Sequence, residues 1–218
     1  MSVGLFVPGW GAPGSLYVRG LPEGWEVLEP PRFRQARGSF GHYRRWLRTE
    51  VVRRGAPVVL AGHSMGGALA FLVALDEPSR VERLVLVSPA GLPLTRPVRS
   101  IALTFAGQLL HGSYPPSALV RMALNTFGAP RAAFALARDV RRLDLVRELE
   151  RLRERRVPIT VIGCAGDALV TSAHCRRLAA LAGADYREVD APNGHIWPVT
   201  QPQLLRRELS RHPGPSAP

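Results

Sequence analysis

The sequence contains no lysine: all 29 of its lysine-plus-arginine positions are arginine. Asparagine is almost absent, at Asn125 and Asn193, beside 20 prolines. The arginines are spread from Arg19 to Arg211. Nucleic-acid binders instead cluster their charge and interleave aromatics with it. The net charge of +12 therefore reads as coding preference over a solvated surface, and no nucleic-acid partner is expected. Cys164 and Cys175 are too few for a disulfide framework, and reduced thiols suit a cytoplasmic protein. No apolar run approaches the roughly 20 residues of a membrane-spanning helix, so no integral membrane association is expected. The opening MSVGLFVPGWG lacks the basic region and long apolar segment of a secretory signal. What remains is ordinary globular material, 46% hydrophobic and 21% charged, whose 218 residues suit one domain with an insertion.

Short apolar runs rich in β-formers occur at Val3–Val7, Trp25–Leu28, Val58–Ala61, Leu84–Val87 and Ile159–Ile162, with a weaker one at Tyr186–Val189. Gly, Pro or charge bounds each, as strands buried on both faces require. Helical patterns alternate with them at about 40–54, 65–76, 172–182 and 199–211. Such alternation predicts a mostly parallel α/β sheet with right-handed crossovers. It breaks once. From Gly91 to Val157 the pattern is helical, first apolar and then, over Arg138–Arg156, charged around Leu145, Leu149 and Leu152. Those leucines mark one face of a helix whose other side is solvated. The expected organisation is a discontinuous core, 1–90 and 157–212, a helical cap at 91–156, and a disordered tail at 213–218.

The chemistry begins where the run Val58–Ala61 enters Gly62-His63-Ser64-Met65-Gly66-Gly67 and a helical pattern leaves it. A strand, a sharp glycine-bounded turn and a helix form a nucleophile elbow, which lifts the Ser64 hydroxyl above the carboxyl edge of the sheet. Serine at its ordinary pKa is a poor nucleophile, so a base and an orienting acid must follow. Of the six histidines, His42 and His63 precede the serine, His111 lies in the insertion, His174 opens a helix and His212 sits in the tail. His195, in the turn Pro192-Asn193-Gly194-His195, has the expected place in the chain order serine, acid, histidine. Asp167 follows the strand Ile159–Ile162, whereas the end of the preceding strand, Ser88-Pro89, offers no carboxylate. An oxyanion would take the backbone N–H of Met65 and that of Trp10, in the glycine-flanked loop Val7-Pro8-Gly9-Trp10-Gly11. Cys164, His174 and Cys175 lack a fourth ligand and a paired spacing for a metal.

The P-G-W-G loop, G-H-S-M-G-G, the loop Gly163-Cys164-Ala165-Gly166-Asp167 and N-G-H together resemble the α/β-hydrolase fold family over nearly the whole chain. The W-G after the first strand is most similar to compact microbial carboxylesterases, among them the pimeloyl-ester hydrolases of biotin synthesis. The resemblance implies Ser64, Asp167 and His195 as catalytic triad, Trp10 and Met65 as oxyanion donors, and residues 91–156 as a lid over an acyl pocket. It implies no metal and no organic cofactor. Pro8-Gly9 stands where the family usually has His-Gly. The family usually begins with two more strands, so a sheet of about six strands is expected here. Serine at 64 separates the chain from the epoxide-hydrolase and dehalogenase branches, whose nucleophile is aspartate. The expected activity is hydrolysis of carboxylic esters or thioesters with an apolar acyl group. A C–C bond hydrolase or acyltransferase on the same triad, or a non-catalytic binding protein on the fold, are the alternatives. Some of Ile101, Leu103, Phe105, Leu109, Leu110, Leu119, Met122 and Phe127 are expected to face the sheet above Ser64 and form an acyl slot or, alternatively, these residues form a surface that seeks lipid.

Overall fold

In a computed structural model, which describes residues 3–94, 107 and 115–211, the six expected strands form one parallel sheet. They are β1 (Gly4–Val7), β2 (Trp25–Val27), β3 (Val58–His63), β4 (Val81–Val87), β5 (Ile159–Cys164) and β6 (Asp185–Val189), in the order β2-β1-β3-β4-β5-β6. The inner strands β1, β3 and β5 are buried at every position. Period-two alternation therefore sends apolar side chains into two cores. Leu5, Leu60, Leu84 and Val161 face one, and Phe6, Ala61, Val85 and Ile162 face the other.

The first core is covered by α2 (Phe40–Val52), α3 (Met65–Asp76) and α7 (Ser172–Ala182). Every residue of α3 from Met65 to Leu75 is buried, as an all-apolar helix under a sheet must be. The second core is closed by Trp197, on the short α8 (Trp197–Thr200), and by Leu205 and Leu209 on α9 (Pro202–Ser210). Side-chain caps start two of these helices, Ser39 accepting from the His42 N–H and Thr171 from the His174 N–H. A four-residue helix, α1 (Phe33–Ala36), precedes α2.

Between β4 and β5 lie α4 (Pro116–Phe127), α5 (Pro130–Arg141) and α6 (Val146–Glu154). The charged run thus forms two helices rather than one, turning between Arg142 and Leu145, whose N–H donates to the Gly91 carbonyl. Leu145, Leu149 and Leu152 join the same core as α3 and α7, while Arg147, Arg151 and Arg153 face solvent. The helix expected over 199–211 is likewise split, because Pro202 begins α9 and forces Gln201 out of helical geometry. Among the described residues, no helix is long and apolar enough to cross a membrane.

Candidate active site

Register brings the chemistry together. Val7 pairs with Gly62, His63 with Val87, Val87 with Ile162, and Cys164 with Val189. The strands β1, β3, β5 and β6 therefore end along one edge of the sheet, and Gly9, Ser64, Asp167 and His195 each lie in the segment that leaves one of those ends.

Ser64 stands between β3 and α3 with φ 54° and ψ −118°, a conformation that an L side chain rarely adopts. Neighbouring glycines permit it. A methyl group on Gly66 would fall on the Val7 carbonyl oxygen, and one on Gly62 on the Gly66 carbonyl oxygen. The turn also leaves the Met65 N–H at the start of α3, where no earlier helical carbonyl exists to accept it. On the other side, a methyl group on Gly9 would lie 3.5 Å from Ser64 Cβ, so the Pro8–Trp10 loop runs directly beside the serine.

His195 Nε2 lies 2.9 Å from Ser64 Oγ, and its Nδ1 lies 2.7 Å from Asp167 Oδ2. The second Asp167 oxygen, Oδ1, accepts 2.8 Å bonds from both the Leu169 and Val170 N–H groups. Asp167 and His195 are 4% exposed. Burial raises the Asp167 carboxyl, but the His195 ring beside it and bonds from His195, Val170 and Leu169 outweigh that and hold it below its ordinary value. The carboxylate thus fixes the Nδ1–H tautomer and leaves Nε2 free to accept the serine proton. The end of β4, the other position an acid could take, holds Ser88, fully buried.

A family model described as the alpha/beta hydrolase family matches residues 5–208. The chain belongs to that family. The monoglyceride lipase of Homo sapiens is 54% identical over 38 residues, which are 17% of this chain and 12% of the lipase. The sn-1-specific diacylglycerol lipase ABHD11 of Mus musculus is 62% identical over 37 residues, 16% of this chain and 12% of that one. Each match thus spans about an eighth of the relative's own length. The fold is shared more widely. A solved putative lipase from Acinetobacter baumannii covers 96% of this chain and 82% of its own at 18% identity and TM-score 0.72. An esterase from Exiguobacterium antarcticum covers 96% and 92% at 15% identity and TM-score 0.72.

The structure brings Ser64, Asp167 and His195, three of the site residues expected from the sequence, into hydrogen-bond contact. The loop bearing Trp10 also reaches the site, and the Trp10 side chain ties it down. The indole Nε1–H donates to the Ala133 carbonyl of α5 at 3.2 Å, and the ring packs on Phe33. Asn125 of α4 accepts from the Phe33 N–H, and Arg121 pairs with Glu29, so the helices between β4 and β5 are anchored to the loops around the serine. A cleft lined by Gly9, Arg32, Phe33, Met65, Arg121, Leu124 and Asn125 lies between α4 and the loop after β1; it takes in Met65, the residue after Ser64, but not Ser64 itself. Phe127, named for the acyl slot or alternatively for a lipid-seeking surface, ends α4 and is 80% exposed. Ile101, Leu103, Phe105, Leu109 and Leu110 lie outside the described residues.

Two residues of the site had no role in the sequence reading. His63 is buried at the end of β3, with Nδ1 2.8 Å from Tyr17 Oη and Nε2 2.9 Å from the His195 carbonyl. Chain order gives His63 no place as the base, because it precedes the serine. A histidine ending a fully buried strand must find partners for both ring nitrogens, which was the available signal. Nothing local marked Tyr17 as one of them.

Proposed function

We propose that the protein is a serine hydrolase cleaving carboxylic esters or thioesters through an acyl-enzyme on Ser64. The observation that carries this reading is the continuous line Ser64 Oγ, His195 Nε2, His195 Nδ1, Asp167 Oδ2 at 2.9 and 2.7 Å. In this reading Ser64 Oγ attacks the acyl carbon while His195 Nε2 takes its proton. Asp167 holds the tautomer and stabilises the imidazolium. The negative charge that develops on the carbonyl oxygen meets the backbone N–H groups of Met65 and Trp10. His195 then returns the proton to the departing alkoxide or thiolate. Water, deprotonated by His195, attacks the acyl-serine, releasing the carboxylic acid and restoring the serine hydroxyl. No metal or organic cofactor enters these steps.

The substrate is a small ester or thioester with an apolar acyl group, held in the cleft beside Met65. Segment 91–156 acts as its cap, with α4 and α5 as the part anchored next to the serine. Solved neighbours described as esterases, lipases and a thioesterase support the reaction class. The decisive test is Ser64→Ala. It should remain folded and lose on the order of 10⁴–10⁶-fold in turnover of a p-nitrophenyl ester. A fluorophosphonate should label the unmodified protein at Ser64 alone. A variant that retains more than about a tenth of the activity, a loss far smaller than a missing nucleophile causes, would sink the reading.

A further inference from the structure

His63 and Tyr17 hydrogen-bond to no reacting atom, although the His63 ring packs on the His195 ring with centroids 4.8 Å apart, and they connect three of the loops that make the site. The direction of each bond follows from the groups involved. A carbonyl oxygen only accepts, so the 2.9 Å contact with the His195 carbonyl requires the proton on His63 Nε2. The ring is neutral, because burial and the neighbouring His195 push its pKa down to about 3. Nδ1 must then accept, so the Tyr17 hydroxyl donates to it at 2.8 Å. The hydroxyl oxygen in turn accepts from the Gly9 N–H at 3.4 Å. The result is a one-way chain, Gly9 N–H to Tyr17 O–H to His63, and His63 Nε2–H to the His195 main chain.

We propose that Tyr17 and His63 are positioning residues, whose hydrogen-bonded chain sets the spacing between the β1 loop, the Ser64 elbow and the main chain of His195. The proposal rests on the reading of Ser64, Asp167 and His195 as the reacting groups. Three observations carry it. The ring bond between His195 and Ser64 must break and re-form in every turnover, whereas the His63 bond to the His195 carbonyl involves no reacting atom, so no step requires it to break. The residues just before His195, Asn193 and Gly194, have φ of 68° and 51°, a turn these two residue types form readily, and the His63 bond ties the main chain beyond that turn to the end of β3. Finally, a methyl group on Gly9 would lie 3.1 Å from His63 Nδ1, so a side chain at position 9 would crowd the ring that Tyr17 holds.

Three variants and one spectrum test this. His63→Leu removes both bonds at similar volume, His63→Gln keeps a donor near the Nε2 position, and Tyr17→Phe removes one hydroxyl. Per folded molecule, His63→Leu should lower kcat by about 100-fold with KM for p-nitrophenyl butyrate within about twofold, the signature of misplaced groups rather than lost binding. Tyr17→Phe should lose about tenfold, and His63→Gln should recover to within about fivefold of the unmodified protein. A kcat within about twofold of the unmodified value in His63→Leu would overturn the proposal, as would equal losses from Leu and Gln or a rise in KM alone. Ring ¹⁵N shifts in the Ser64→Ala protein give a readout independent of activity and of how the variants fold. His63 should stay neutral with its proton on Nε2 between about pH 5 and 8, where an ordinary histidine titrates. A proton on Nδ1, or titration in that range, would overturn the proposal as well. Activity surviving in Ser64→Ala would reject the triad reading first. Loss there with an unchanged His63→Leu would reject the positioning role alone.

Discussion

At Asp167 two forces oppose each other: burial favours the neutral acid, and His195 with three hydrogen bonds favours the carboxylate. The carboxylate prevails. Asp167→Asn keeps an oxygen for the Leu169 and Val170 N–H groups but removes the charge facing His195, and its amide can stabilise the wrong imidazole tautomer. It should lower turnover at neutral pH by about 10⁴-fold, whereas Asp190→Asn should change it little. Steady-state rates on a p-nitrophenyl ester check this, and equal small losses would place the acid elsewhere. Individual residues were legible when chain order constrained them. Ser64 had an elbow around it, His195 followed the last strand, and Asp167 followed the first strand after the insertion. Tyr17 was not legible, because its partner lies across the sheet edge and no local pattern in the chain encodes that meeting.

Among the elements, the elbow is the tightest. The start of α3 approaches β1 so closely that a methyl group on Gly66 would overlap the Val7 and Pro8 carbonyl oxygens. Gly66→Ala should therefore force α3 and β1 apart and lower stability by about 1–3 kcal/mol. Gly41 makes a contrast. It lies exposed in the first turn of α2, and a methyl group there meets nothing nearer than 3.8 Å. Gly41→Ala should raise stability by up to about 1 kcal/mol. Urea unfolding of the two variants decides, and a shift of the same sign in both would contradict the packing argument. Strands and most helices could be read from the sequence because burial on both faces and capping are local. The breaks at Arg142–Leu145 and Gln201 were missed for different reasons. The first depends on a tertiary bond from Leu145 to Gly91, and the second on a proline that a periodicity count treats as one more helical position.

For the molecule as a whole, alternation of strands and helices predicted a parallel sheet but not its neighbours: β1 lies between β2 and β3, an arrangement decided by crossovers. Global stability carries the imprint of one group inside this sheet. His63 has a folded pKa of about 3 against an ordinary 6.5, so the unfolded chain takes up a proton that the folded one refuses. The resulting stabilisation is complete above about pH 6.5 and is lost as pH falls toward about 3, by at most about 1.4 kcal/mol per pH unit. His63→Gln, which carries no titrating ring, should show a shallower fall over that window in urea unfolding followed at several pH values. Parallel curves for the two proteins would mean that the folded state accepts the proton.

The left-handed backbone at Ser64 has a consequence for heat resistance. A side chain held at φ 54° costs on the order of 1–3 kcal/mol, a standing load that the core beneath it must bear. Ser64→Gly should relieve it, giving a protein inactive toward esters but melting at a higher temperature than Ser64→Ala. Selection for stability alone would therefore drift away from serine at this position.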